Sequence, residues 1–266
     1  STFAYVSEAR RMGLGIDPPD VTVSRIRWTG WGRRLRVGLM AVGGLSRCTM
    51  EKILRCRRAS GFVDMTDFLN RVQPDEDEAV ALVHCGALDA LNPGGHRAAL
   101  LWELACWLKS KRPKVSAPSL FDDAKPGTDC PSPTLPVEDE RERLRREFSV
   151  LGFLCDRHPM ELFADQLHGR RTVKAVDLPR CIGRRITLAG WLITGKVVST
   201  KRGDPMEFLT FEDETGIVET TFFPDAYRRF CHIIDRQRPY LLTGKVEEDW
   251  GALTLTVEKA ERLIFA

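Results

Sequence analysis

The hydrophobic period changes once along this chain, and that change limits its fold more than any single motif. Between residues 36 and 110 the apolar side chains recur at helical spacing, and from Ile186 onward they alternate. A period near 3.6 lines one face of a helix, and a period of two lines one face of a strand. The expected fold class is multidomain α + β, an all-α domain followed by an all-β one. The β part opens with RITLAGWLITGKVVSTK, a long strand in which Gly190 and Gly195 mark bends or bulges. MEFLTFED and GIVETTFF follow, joined by the acidic turn Asp213-Glu214-Thr215-Gly216. A helix is expected over 225–234, then the strands PYLLTGKVEED and ALTLTVEKAERL. Five strands, the first long and bent, with a helix between the third and fourth, is the layout of an OB-fold β-barrel.

In the α part, residues 36–55 (RVGLMAVGGLSRCTMEKILR) read as helix, tight Gly-Gly turn, helix. Gly43 and Gly44 tolerate left-handed dihedrals without a Cβ clash. Such a turn would present the amides of Gly43, Gly44, Leu45 and Ser46 at a helix start, where an anion such as phosphate is favoured. Arg47 and Lys52 lead a run of basic residues beside it. A helix-hairpin-helix module grips a nucleic-acid backbone in this way without reading sequence, and an ordinary αα-hairpin with a glycine turn has the same pattern. A second unit follows: a turn at Gly86 after a helix ending near His84, then Asn92-Pro93-Gly94-Gly95 ahead of an amphipathic helix over 96–110 that carries Arg97. The two units form a weak tandem repeat.

Six of the fifteen prolines fall within 113–136, which marks an extended linker. Its one apolar island, Ser119-Leu120-Phe121, is either a docking peptide or a loop anchored on the domain. A charged helix follows over 138–154, with Leu144, Phe148 and Leu151 as its buried stripe, and a short helix over 160–167. On the OB barrel the binding face is built on the second and third strands and the adjoining loops. Alternation puts Phe208 on the outer face as a base-stacking platform and Phe211 in the core, with Lys196, Lys201, Arg202 and Lys245 flanking a bound single strand. The acidic residues Glu207, Glu212, Asp213, Glu214 and Glu219 crowd the same strands, which suits a structural or protein-docking barrel instead.

Other chemistries find little support. Pro74-Asp75-Glu76-Asp77-Glu78 looks like a metal-binding carboxylate cluster, but AVALVH follows at once, so the acids read as the capped first turn of a helix. The eight cysteines form no C-x-x-C pair, and no phosphate loop or activated nucleophile is evident, so neither a catalytic set nor a metal or cofactor site is expected. No apolar stretch is long enough to span a bilayer, and the start lacks the apolar core of a signal peptide. The net charge of +3 is mild, which favours a local basic surface over a polycation. The chain opens mid-pattern without an initiator Met, as part of something longer would.

The order of these parts resembles a region of the bacterial DNA polymerase III alpha subunit, of the DnaE type. EARRMGLGIDPPDV (8–21), RVGLMAVGGLS (36–46), DMTDFLNRV (64–72), HCGALDAL (84–91), GGHRAALL (94–101), EFSVLGFLCDRHPM (147–160) and FLTFEDETGIVETTFFP (208–224) carry the resemblance. It implies residues 1–35 as the end of the fingers, 36–112 as tandem helix-hairpin-helix, 113–136 as linker, 137–180 as a helical connector and 181–266 as the OB domain. It further implies duplex and single-stranded DNA, the sliding clamp and other replisome subunits as partners, in the cytoplasm. The clamp peptide of that family is Gln-x-x-Leu/Met-Phe. Ala117-Pro118-Ser119-Leu120-Phe121 falls at its place, with Ala117 where Gln is usual. Ser46 stands where the family commonly has Gly, and Arg157 where a Gly precedes His-Pro. The family's catalytic palm, with the Asp triplet that would hold Mg, has no counterpart in these residues, so this region is expected not to polymerise. The error-prone relatives of the alpha subunit share these modules, and a replisome scaffold that binds only proteins is a further reading.

Overall fold

A computed structural model describes residues 2–111, 138–235, 238–249 and 251–264. The clamp-peptide candidate Ala117, Pro118, Ser119, Leu120, Phe121 lies outside them. The chain divides into two compact units, Leu14–Asp156 and Ser1–Gly13 with Arg157–Ala266. The first helix groups with the barrel unit and the charged helix with the hairpins, beside the five segments that the resemblance implies.

In the Leu14–Asp156 unit, strands β1 (Gly15–Asp17), β2 (Thr29–Trp31) and β3 (Arg34–Arg36) form a small sheet ordered β1-β3-β2. Where helical spacing suggested a helix before the first glycine turn, only a 3-10 turn, Leu39–Ala41, is present. The reason lies in the amides. Val37 N–H donates to Asp17 O, Leu39 N–H to Arg25 O and Met40 N–H to Ile26 O, so tertiary partners take the donors an α-helix would need. Gly38 permits this approach, since a Cβ there would sit 2.4 Å from the Arg27 carbonyl carbon. Helices α2 (Arg47–Ala59), α3 (Met65–Val72), α4 (Glu76–His84), α5 (Arg97–Lys111) and α6 (Glu140–Leu151) follow. Ile53, Phe68, Leu69, Leu82, Leu100 and Leu144 make up much of their shared core.

In the other unit the two-residue period becomes a closed barrel of β4 (Arg185–Ser199), β5 (Pro205–Glu212), β6 (Ile217–Phe222), β7 (Pro239–Asp249) and β8 (Ala252–Arg262), ordered β4-β5-β6-β8-β7. A bulge between Leu192 and Thr194 lets the long β4 pair first with β7 and then with β5. Leu188, Leu209, Phe211, Tyr240, Leu242, Val246 and Leu255 fill the inside. Helix α7 (Pro224–Phe230) sits between β6 and β7 in sequence, as expected, and packs on β5, β6 and β8. Helix α1 (Thr2–Arg11) lies on the barrel's outer surface. Its Phe3 ring meets Trp191 at 5.6 Å, and its Arg11 pairs with the fully buried Glu212 at 3.0 Å. His158 accepts from Met160 N–H at Nδ1, so Nε2 carries the proton toward Glu212 Oε1 at 3.3 Å. Glu212, one of the acids crowding these strands, is thus a buried anchor. Burial opposes its charge, but the hydrogen bonds from His158 and Arg11 more than offset this and hold its carboxyl below the usual range.

Candidate nucleic-acid interface

The two glycine turns share one geometry. Each follows a 3-10 turn, Leu39–Ala41 or Asp89–Leu91, and each leads within a few residues into α2 or α5. Gly44 and Gly94, fifty residues apart, both take the left-handed conformation, at φ 81° and 78°. A side chain there would be strained, which accounts for glycine at both positions.

At the first turn the structure corrects the expectation of several open amides. Gly43 N–H donates to Val150 O at 3.1 Å, and a Cβ at Gly43 would approach that oxygen to 2.7 Å. Leu45 is buried, and its N–H donates to Val42 O. Ser46 N–H donates to Glu78 Oε1 at 2.9 Å, while the Ser46 hydroxyl caps α2 by accepting from Thr49 N–H. The amides of Gly44, Arg47 and Cys48 have no hydrogen-bond partner among the described residues and remain to face an anion.

Glu78 is the residue that sequence reasoning missed. The acids at 74–78 do begin a helix, with Asp75 and Glu78 forming a capping box at α4. Glu78 also reaches α2, accepting from Ser46 N–H and from Thr49 Oγ1 at 2.7 Å, and is 4% exposed. Burial disfavours its charge, yet the hydrogen bonds from Ser46 and Thr49 prevail and hold its carboxyl below the usual range. An internal carboxylate therefore occupies part of the anion-favouring start of α2. The capping-box spacing was visible in sequence, but the partners at the start of α2, Ser46 and Thr49, lie about thirty residues away.

The second unit departs from expectation in two residues. Arg97, expected on the DNA side, is buried; it is bidentate to Asp89 and donates to His84 O. Gly86 is buried as well, and its bare Cα makes room for Arg97, whose Nη2 would lie 2.2 Å from a Cβ. Both are internal braces. Glu147 on α6 completes this pin, 4.0 Å from Arg97 and accepting from Cys155 N–H at 2.9 Å. Gly94 and Gly95 are exposed at the turn itself. Arg47 is exposed with an i, i+4 partner in Glu51, and Lys52 is half-buried.

On the barrel, Lys196 and Phe208 are direct cross-strand partners, and Phe208 is 43% exposed while Phe211 is fully buried. Lys201 and Arg202 are exposed in the turn between β4 and β5, whose ends are tied by Thr200 N–H to Asp204 O. Lys245 is not brought to this face. It pairs across strands with Arg185 and Thr256 and holds Glu247 at 3.4 Å. Next to Phe208, the Thr210 hydroxyl donates to the Glu219 carboxylate.

These features define the class. Residues 13–100 match the family described as helix-hairpin-helix motif, and residues 186–263 match the OB-fold nucleic acid binding domain. An error-prone DNA polymerase of Symbiobacterium thermophilum is 29% identical over 96% of this chain, and one of Anaeromyxobacter sp. is 32% identical over 98%. The DNA polymerase III subunit alpha of Bacillus subtilis is 28% identical over 97%. This chain is homologous to one region of the error-prone DNA polymerases and DNA polymerase III alpha subunits, spanning 28%, 23% and 24% of those three relatives. Among the described residues no helix is long and apolar enough to cross a membrane.

Proposed function

We propose that this chain is the DNA-holding region of a bacterial polymerase of this type, gripping duplex and single-stranded DNA while catalysis and its Mg ions reside elsewhere in a longer, cytoplasmic protein. The observation that carries the reading is the repeated left-handed glycine turn, at Gly44 and Gly94, each at the start of a helix. The open amides of Gly44, Arg47 and Cys48 suit a backbone phosphate, with Arg47 and Lys52 supplying charge and no base-edge contact. Gly94 and Gly95 offer the second, weaker grip. Phe208 with Lys196, Lys201 and Arg202 suits a single strand, by stacking and backbone charge. Leu120 and Phe121 tether the sliding clamp, and linkage on one chain raises the effective concentration of each weak contact for the next. Other replisome subunits would dock on the same scaffold.

A salt titration tests this reading. Fluorescence anisotropy with duplex and single-stranded DNA, between about 50 and about 300 mM salt, should give a log–log slope of roughly −0.9 per phosphate contacted on duplex. A flat dependence, or no binding at the lowest salt, would favour the second reading, a protein-only scaffold. The acidic Glu219 beside the Phe208 face supports that alternative.

A further inference from the structure

A cleft of about 610 Å3 opens between the 25–29 segment and the C-terminal half of α2, away from both glycine turns. Arg25, Arg27 and Trp28 line it from the 25–29 segment, and Leu54, Arg57 and Arg58 from α2. Both walls are fixed. Leu39 and Met40 N–H groups donate to Arg25 O and Ile26 O, Trp28 packs on Phe153 at 5.6 Å, and Arg57 Nη1 donates to Val21 O at 2.8 Å. Among the described residues, Arg25, Arg27 and Arg58 have no carboxylate within ion-pair distance, and no acid lines the cleft. Burial holds the Arg57 guanidinium below its ordinary value, with Asp20 opposing the shift and Arg58 adding to it. The helix C-terminus, which would repel an anion, is neutralised: Arg71 donates to Cys56 O, Ser60 O and Gly61 O.

We propose that this cleft seats backbone phosphates of the DNA held at the first hairpin, as a contact separate from the turn amides. The inference rests on the duplex-holding reading above. Four arginines line one concave site, three of them without an ion-pair partner among the described residues, and guanidinium is weakly hydrated and matches phosphate bidentately. Eleven residues along α2 from Arg47 to Arg58 place the cleft about 16 Å from the turn, the rise of roughly five nucleotides of duplex. A short duplex is long enough to span both.

The test is a triple variant, Arg25→Gln, Arg27→Gln and Arg58→Gln, with Arg57 left to hold Val21. Duplex affinity at about 100 mM salt should fall at least ~30-fold, and the log–log salt slope should lose about 2 to 3. A control of equal charge, Arg180→Gln, Arg185→Gln and Arg228→Gln, alters exposed residues of the barrel unit and should change the slope by less than about 1. Circular dichroism melting checks that both variants fold, and the single reversal Arg27→Glu, expected to weaken duplex binding, replaces the triple if it does not. If the unaltered chain binds duplex and the cleft variants bind it equally well, the cleft assignment alone fails. An equal loss in the control reduces the effect to general charge and overturns it. Retained duplex binding with lost binding of a polyglutamate peptide would make the cleft an acidic-peptide site, which also overturns it. Absence of duplex binding by the unaltered chain overturns this proposal and the reading beneath it together.

Discussion

Replacing Glu78 should unfold the hairpin unit before it affects anything else. Its carboxylate accepts from Ser46 N–H at 2.9 Å, Thr49 Oγ1 at 2.7 Å and Asp75 N–H at 3.2 Å, and the residue is 4% exposed. Glu78→Ala removes all three acceptor contacts, strands two backbone donors and loosens the α2 and α4 starts together. Hydrogen bonds to charged groups are worth ~1.5–3 kcal/mol each but do not add fully, so the net loss should be ~3–5 kcal/mol. For a unit of this size that corresponds to a melting shift of about 10–15 °C. Urea unfolding followed at 222 nm reports it, since most of the helix lies in this unit. The pH dependence gives a second reading. The depressed carboxyl contributes stability that is present above its unfolded value and is lost as pH falls through the lower folded value. The gap between parent and Glu78→Gln should therefore close on acidification. A loss below about 1 kcal/mol, or a gap that does not vary with pH, would refute the assignment of Glu78 as the internal anion of α2.

Glu147→Gln should behave oppositely. Burial raises the Glu147 carboxyl above the usual range, with Cys155 N–H and Arg97 opposing. The parent's contribution is then full below the unfolded pKa and is lost as pH rises through the folded one, so the variant should gain on the parent from acid to neutral pH in the same unfolding assay. Gly44→Val, at φ 81°, should weaken duplex binding several-fold in anisotropy while leaving sequence preference unchanged, and undiminished binding would remove that turn from the interface. Phe208→Ala should reduce single-strand affinity by ~1–3 kcal/mol without lowering the melting temperature, because the ring is 43% exposed. Leu120→Ala with Phe121→Ala should abolish capture of a sliding clamp in surface-plasmon binding, and retained capture would refute the tether.

The sequence by itself determined the α-then-β division, the five strands of the OB part and their order along the chain, the helix between the third and fourth, and the opposite fates of Phe208 and Phe211. These follow from period and alternation, which are local properties of a chain. It also marked the acids at 74–78 as the capped start of a helix, because a capping box spans only four residues. Tertiary structure decided the rest, through partners far apart in sequence. The residues before Gly43 are not α-helical because the 25–26 carbonyls and Asp17 claim their amides. Glu78 reaches Ser46 across two helices, Arg97 is drawn inward by Asp89 and Glu147, and Lys245 is carried away from Phe208 by the barrel's strand order. Periodicity shows which face of an element is buried, but a polar side chain's partner is fixed only when the elements pack, since hydrogen bonds and ion pairs depend on distance in space.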